Sequence, residues 1–416
     1  MQWIKEIPSH WEERRLKTLV TCNDEALSEK FDKEKVIQYV EIGDVDQVYG
    51  IKNSTFYKFK DAPSRARRIT RFGDIIISTV RTYLKAIAFI DKHDLIVSTG
   101  FAVLRPHNVL PRFLAYATMC DGFTTEVLRY SIGISYPAIS SNDLLGLKIA
   151  LPSRPEQGII VSYLECKTSK IDVYVADKEK EIQLLQELKQ KTIAEAVTKG
   201  LNPNVKMKDS GISWLGMIPE HWEVKRAKYM FIKNKRNRRP EDEVITCFRD
   251  GQVTLRKNRR LTGFTESEKY DGYQGIRKGD LVIHQMDAFA GSIGVSDSDG
   301  MGTSVYHCCT PIGDYNVYYY AFLIRQMAMS GFIQSLYKGI RERSSDFSFL
   351  VFGNQYLVIP PRTEQNTIVS HIEEKCQKID TLITELQAEI NYLKEYKQRL
   401  IADVVTGQVN VQNVIK

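Results

Sequence analysis

The sequence predicts an α/β (α+β) protein: two globular mixed α/β bodies and two long helices, laid out as an internal repeat. Three observations carry that expectation. The stretch from Val358 to Asn410 enters past Pro360 and Pro361 into a helical pattern. Ile379, Leu386, Leu393 and Leu400 recur there once per heptad, with Leu382, Ile390 and Tyr396 filling the same face, as in a coiled-coil seam. The stretch from Leu151 to Asn202 repeats it without a gap at an offset of roughly 208 residues, so that Pro-x-x-x-Glu-Gln, Lys-Ile-Asp and Lys-Gln-x-x-Ile-Ala stand in both. Finally, Ile7–Val20 and Ile218–Phe231 both open on Ile-Pro-x-His-Trp-Glu, which marks the front edge of each copy.

Composition bounds what such a chain can be. A length of 416 residues suffices for two or three domains with their own cores. Hydrophobic and charged residues, at 43% and 26%, are ordinary for a soluble globular protein. No apolar run is long enough to span a membrane, and the first residues lack the apolar core of a signal peptide. The seven scattered cysteines form no CxxC pair and predict free thiols in a reducing cytoplasm. A net charge of +7 permits an anionic partner without requiring one.

In chain order, Pro8 and Pro219 set extended entries, and His10, Trp11, His221 and Trp222 are expected to pin each N-terminal edge to its core. The bodies, roughly residues 20–150 and 230–357, share little. Strands are expected at Lys35–Ile42, Asp74–Val80, Ala86–Ile90, Leu95–Leu104, Val244–Arg249, Asp280–Gln285 and Ser292–Ser296. One landmark recurs: Arg71–Thr79 and Arg277–Gln285 each place a basic-x-Gly-Asp turn before a buried strand. Helices are expected over Pro111–Tyr130 and Tyr318–Tyr337, followed in each body by a polar, Ser-rich loop. The long helices should run over Arg154–Lys199 and Arg362–Thr406; about 35 residues of continuous helix span ~50 Å. Lys178 and Thr192 interrupt the first stripe where the second has Leu386 and Leu400, so pairing the copies lets the better stripe cover the poorer one.

These anchors, taken together, resemble the specificity subunit of Type I restriction-modification enzymes, and the resemblance runs the length of the chain. It implies residues 1–150 as target-recognition domain 1, 151–205 as a central repeat, 206–357 as target-recognition domain 2 and 358–416 as a C-terminal repeat. It implies an antiparallel coiled coil of the repeat helices with pseudo-two-fold symmetry. Each domain would read one half of a bipartite target in double-stranded DNA. Two methylation subunits, and restriction subunits in the full complex, are the implied partners. S-adenosylmethionine would be bound by the methylation subunit and no cofactor by this chain, in the cytoplasm and away from any membrane.

Phosphate contact requires cations, and base reading requires side chains matched to base edges. The first body offers Lys58, Lys60, Arg65, Arg67 and Arg68, then Ser78, Thr79, Arg81, Tyr83 and Lys85 on the turn after the Gly-Asp strand. The second offers Lys235, Arg236, Arg238, Arg239 and Arg256, with His284 and Gln285 on the equivalent turn and Arg341, Arg343 and Ser344 in the late loop. Arg81, Thr79, Tyr83, Gln285, Arg341 and Arg343 are singled out for base reading, because Arg can fork to guanine and Gln to adenine.

Catalytic readings are weaker. The chain has no Asn/Asp-Pro-Pro-aromatic methyltransferase motif and no Walker loop. The Glu-x-Lys of Glu165–Lys167, repeated at Glu373–Lys375, starts an amphipathic helix, where solvated charge is ordinary. His307-Cys308-Cys309 lacks a second ligand pair. The alternative to a DNA reader is a two-headed coiled-coil scaffold that joins proteins; twin basic, dissimilar bodies favour the reader.

Overall fold

The computed structural model describes residues 3–4, 6–47, 50–92, 94–259, 262, 272–336 and 346–412. Contacts divide the chain into two units. Unit 1 comprises Met1–Glu179 with Gln387–Lys416, and unit 2 comprises Lys180–Leu386. Each long helix is therefore shared, and each unit owns one part of both.

Unit 1 is built on a sheet in the order Val20–Cys22, Phe101–Pro106, Ile75–Ser78, Ile87–Phe89. Its strands read as unbroken apolar runs because both faces are covered. Ile75, Ile77, Ala102 and Leu104 turn toward Phe113 and Leu114 of α1 (Pro111–Met119) and Phe123 of α2 (Asp121–Arg129). Ile76 and Val103 turn the other way, toward Val40 and Val97. Each such buried aliphatic contributes about 1.5–3 kcal/mol. The expected single helix over Pro111–Tyr130 is two, because Cys120 between them is extended at φ −70°, ψ 149°. The expected strand Leu95–Leu104 is also two. Leu95–Ser98 belongs to a second sheet, ordered Thr55–Lys58, Val36–Val40, Leu95–Ser98, Ala66–Ile69. The chain changes sheets at Gly100, where a Cβ would lie 2.8 Å from Ile42 Cδ1. Helix α3 (Ser141–Gly146), capped by the Ser140 hydroxyl, leads into the closing strand Lys148–Leu151.

Unit 2 repeats the first sheet in the same spatial order: Phe231–Asn234, Tyr306–Pro311, Leu281–His284, Ile293–Val295. The alternation is repeated too. Leu281 and Ile283 pack with Tyr319 and Leu323, whereas Val282 packs with Ile245 and Cys308. Among the described residues the second sheet is not repeated. In its place are two ribbons, Ile245–Cys247 with Val253–Leu255 and Gln274–Ile276 with Gly300–Gly302. Instead of one helix over Tyr318–Tyr337, α5 (Val317–Met329) ends ahead of Gly331, at φ +77°, and α6 (Phe332–Ser335) follows. The last two helices are α7 (Phe349–Asn354) and the long one described next.

The long helices are α4 (Arg154–Lys199) and α8 (Arg362–Val405). In unit 1, Lys397 holds Asp172 at 2.6 Å, Lys394 holds Glu179 at 3.2 Å and Lys178 holds Glu389 at 3.2 Å. Numbers rise along one helix as they fall along the other, so the helices run antiparallel. In unit 2, Lys189 holds Asp380 at 2.7 Å. That pair is the repeat mate of Lys397–Asp172, under the same offset of roughly 208 residues. Lys178, an interruption on the apolar stripe, is an ion-pairing position.

The stripe itself differs from the heptad expectation. Ile379, Leu386, Ile390 and Leu400 are buried, but Leu382 and Tyr396 are 47% and 56% exposed. The buried isoleucines Ile368, Ile379, Ile390 and Ile401 recur every eleven residues, and Ile160, Ile171, Ile182 and Ile193 repeat that spacing in α4. Eleven residues make three turns at about 3.67 per turn. Such a stripe stays on one side of a nearly straight helix, whereas a heptad set drifts off it.

Both copies close in the same way. Glu12–Arg15 pairs with Lys148–Leu151, and Glu223–Arg226 with Tyr356–Ile359. Behind these ribbons Trp11 Nε1 donates to Glu156 at 3.0 Å and Trp222 Nε1 to Glu364 at 3.2 Å, with His10 and His221 on the same carboxylates. The neighbouring glutamines are bidentate. Gln157 accepts from Leu110 N and donates to Pro152 O, both at 2.9 Å. Gln365 accepts from Asn316 N and donates to Pro360 O, both at 2.8 Å. The repeated Glu-Gln thus fastens each body to the start of its helix, and the His-Trp pairs pin the N-terminal edges as the sequence predicts.

Candidate nucleic-acid interface

The basic-x-Gly-Asp turn closes through its aspartate in both units. Arg71 N donates to Asp74 Oδ2 at 2.8 Å, and Arg277 N to Asp280 Oδ2 at 2.9 Å. Both carboxylates are buried and need a cation. In unit 1 Arg105 supplies it with two N–H groups at 3.1 and 2.9 Å while also pairing with Glu25. Arg71 and Arg105 together hold the Glu25 carboxyl below its usual range. In unit 2 the cation is Arg236, just past the edge strand Phe231–Asn234, and Arg277 pairs instead with buried Asp242 at 3.1 Å. The Arg236 guanidinium, expected to contact DNA, is 31% exposed and engaged by this buried carboxylate.

Past each Gly-Asp strand, the turn is tied by equivalent bonds to the start of the neighbouring strand and to the late loop. Thr79 N donates to Gly100 O at 2.8 Å and Gln285 N to Val305 O at 2.9 Å. Ile139 N donates to Thr79 O at 2.9 Å and Phe347 N to Gln285 O at 3.0 Å. Ser140 and Ser348, the next residues, cap α3 and α7. The two segments chosen from sequence in each body therefore form one junction on one scaffold, carrying different side chains.

At the unit 1 junction, Arg81 and Lys85 flank a short 3-10 turn, both left-handed at φ +52° and +48°, and Tyr83 is exposed between them. Non-glycine residues in that region store strain of the kind found at functional loops. Arg81 lies over the Tyr136 ring at 5.1 Å, and Lys85 pairs with Asp121 at 2.8 Å. Thr99 N donates to Arg65 O, which brings exposed Arg65 beside Gly100 and hence beside Thr79. Ser78 is a correction: it is buried and its hydroxyl donates to Val80 O at 2.5 Å. Thr79 is half-buried and spends its hydroxyl on Gly100 O at 2.9 Å.

The remaining cations of the first body do not form one patch. Lys58 and Lys60 end the strand at one edge of the second sheet, where both hold Glu34, at 3.0 and 2.7 Å. Arg67 and Arg68 lie on the strand at the other edge, Arg67 over the Phe59 ring at 4.9 Å and Arg68 with a buried Nε. Neighbours in sequence are thus separated by the width of a sheet.

In unit 2, Lys235, Arg238 and Arg239 are exposed, Arg239 in a solvent-facing pair with Asp299 at 3.2 Å. Such a pair is worth little and opens readily for a phosphate. Arg256 is half-buried, with Nε 3.4 Å from Thr246 Oγ1. His284 is also a correction. Its Nδ1 accepts from Met286 N and Asp287 N, and burial lowers its pKa, so it shapes the turn as a neutral ring. The Gln285 amide bonds Asp346 of the late loop. Arg341, Arg343 and Ser344 lie outside the described residues.

Sequence reasoning missed the apolar content of the first late loop. Ile132, Ile134 and Tyr136 alternate along it and are all exposed. The signal was that alternation, bracketed by Gly133 and Pro137. His307-Cys308-Cys309 is a core strand: both cysteines are buried, with burial pushing the Cys308 thiol up to about 12. Among the described residues no group of His, Cys, Asp and Glu is placed to hold a metal. His307 Nε2 donates to Phe347 O at 3.1 Å, anchoring the return of the second late loop. Burial pushes its pKa down to about 4. Because the folded value lies below the unfolded value of about 6.5, the unfolded chain binds the proton first. Stability from this site is full above about pH 6.5 and falls as pH drops toward 4, by about 3 kcal/mol in all. His307→Gln, which keeps a donor for Phe347 O, should flatten that part of the pH–stability curve; an unchanged slope counts against the assignment.

The scaffold is thus used twice, with unlike loops at equivalent junctions. Residues 8–184 match the family model described as Type I restriction modification DNA specificity domain. The chain is 26% identical over 241 residues to the "Putative type I restriction enzyme MjaX specificity subunit" of Methanocaldococcus jannaschii, covering 53% of this chain and 52% of that one. It is 28% identical over 121 residues to the type I restriction enzyme HindI specificity subunit of Haemophilus influenzae, covering 27% and 26%. The chain thus spans about half the length, or less, of the curated relatives it matches. Among solved structures, a chain from work on complex assembly and conformational transition of the type I R-M system superposes with a TM-score of 0.73 at 21% identity, over 97% of this chain and 100% of that one. The HsdS subunit from Thermoanaerobacter tengcongensis gives 0.52 at 22% identity, over 97% and 99%. At these identities the structures speak for the fold. The family-model match spans the first body and part of the first long helix, and both curated matches are to type I specificity subunits.

Proposed function

We propose that this chain reads a bipartite sequence in double-stranded DNA, one half-site per recognition domain, as the specificity subunit of a cytoplasmic Type I restriction-modification complex. The observation that carries the reading is the duplicated junction of post-strand turn and late loop. The scaffold bonds recur in both copies, while one copy carries Thr79, Arg81 and Tyr83 where the other carries Gln285. Unlike side chains on like scaffolds are what two unlike half-sites require. The chain is non-catalytic in this reading. Two methylation subunits bind S-adenosylmethionine and transfer the methyl group, and restriction subunits join the full complex. Docking area for the methylation subunits is available on the long helices, where Tyr174, Leu184, Leu188, Leu382, Tyr392 and Tyr396 remain exposed. Among the described residues no helix is long and apolar enough to cross a membrane.

Selection from a randomised duplex pool tests the reading. Bound duplexes should share two fixed blocks with a constant unread gap. Affinity should fall by roughly a thousandfold between about 50 and about 200 mM salt, as phosphate contacts release counterions. A pool with no shared blocks, or with one block only, contradicts it. The shared helices are proposed to set the gap. Inserting about seven residues into both, after Glu179 and after Leu386, adds ~10 Å of helix and should widen the gap by roughly three base pairs. An unchanged gap in the reselected pool would remove the helices from that role.

A further inference from the structure

We propose that the hairpin Ser131–Ala138 of unit 1 is an apolar wedge, which inserts Ile134 between two stacked base pairs beside the first half-site. This rests on the DNA-reading function above. The hairpin is rigid at its base. Ile132 and Ala138 exchange both backbone bonds, at 2.8 and 3.0 Å, and Ala138 bridges to Val80 at the end of the Gly-Asp strand. Thr82 ties both flanks, with its N donating to Pro137 O and its hydroxyl to the Ser131 hydroxyl at 2.8 Å. Gly133 at φ +118° makes the turn, and a Cβ there would sit 3.1 Å from Tyr136 O.

A hairpin fixed this firmly is expected to bury its apolar side chains, and this one presents them. Ile132 is 82% exposed, Ile134 103% and Tyr136 65%. Single exposed aliphatics are common on protein surfaces, but three alternating on one anchored tip mark a binding surface. The occupant is indicated by the charges around it. Arg81 lies on the Tyr136 ring, exposed Arg65 lies beside the same junction, and the nearby Asp121 is already neutralised by Lys85. Apolar side chains flanked by arginines suit duplex DNA, where cations take the phosphates and an aliphatic side chain parts a base step. Ile134 is then a specificity residue that acts by deformation, favouring pyrimidine–purine steps, which unstack most easily.

The test uses the full chain without methylation subunits, so that no base is flipped for chemistry, and the duplex it selects from a randomised pool. That duplex is resynthesised with 2-aminopurine stepped through the first block and its flanks. With the wild-type chain, fluorescence should rise at one step as stacking is lost. Ile134→Ser should abolish the rise and weaken binding by roughly tenfold to a hundredfold, the loss of one buried isoleucine side chain. Ile134→Leu should keep both. Because Ile134 touches solvent only, both variants should melt with the wild type. Selective binding without a fluorescence change at any step, or Ile134→Ser binding as tightly as wild type, overturns the wedge and leaves the DNA reader standing. Protection of the hairpin only when another protein subunit is added overturns it in favour of a protein contact. Failure of the wild-type chain to select any duplex overturns the reader and the wedge together.

Discussion

Replacing Asp280 with Ala is expected to destabilise unit 2 by about 3–5 kcal/mol, and so to lower its melting transition by roughly 6–20 °C. The carboxylate is 2% exposed and answers the Arg236 guanidinium. Removing it leaves a partly buried cation without a counter-charge and frees the Arg277 amide that closes the turn. The repeat supplies an internal control. Asp74→Ala opens the equivalent turn in unit 1, yet Arg105 keeps Glu25 and, at 3.7 Å, Asp24. The loss there should be smaller. Equal losses, or a neutral Asp280→Ala, would show that Arg236 is not held as described and is available to phosphate after all. Chemical denaturation of the two variants, followed by fluorescence of the tryptophans in each unit, distinguishes these outcomes.

That comparison also shows what could be read from sequence. The Glu-Gln of each repeat, its His-Trp partner and both long helices were legible, because the contacts they make are copied in both halves and each copy vouches for the other. The basic-x-Gly-Asp turn was legible for the same reason. The partner of its aspartate was not. Arg105 and Arg236 approach from different strands, and no local pattern announces which arginine a buried carboxylate captures. Charge density misled in a related way: Lys58, Lys60, Arg67 and Arg68 are neighbours along the chain but sit on opposite edges of a sheet. The helix stripe was visible, but the heptad face and the eleven-residue repeat share Ile379 and Ile390. Exposure of Leu382 and Tyr396 separates them. Similarly, the split of Leu95–Leu104 depends on crowding at Gly100 by Ile42 and Val80, side chains remote in sequence.

Function follows from what the repeat keeps and what it lets vary. Ion pairs at Asp172–Lys397 and Lys189–Asp380, the tryptophan clasps and the sheet order are kept in both units. The second sheets and the loops at the two junctions vary. Under the proposed function, such a device would change what one head reads without disturbing the other, because the scaffold bonds that place the loops are backbone to backbone.

Exchange of one head therefore tests the account most directly. Residues 20–150 would be replaced by the corresponding body of another chain that keeps the same repeat helices, and the bound duplexes selected again. The account predicts that one block is replaced and the other, with the gap, is retained, with affinity for the original duplex falling by roughly a thousandfold toward non-specific binding. Loss or change of both blocks together would contradict it, since the two heads would then not be reading independently.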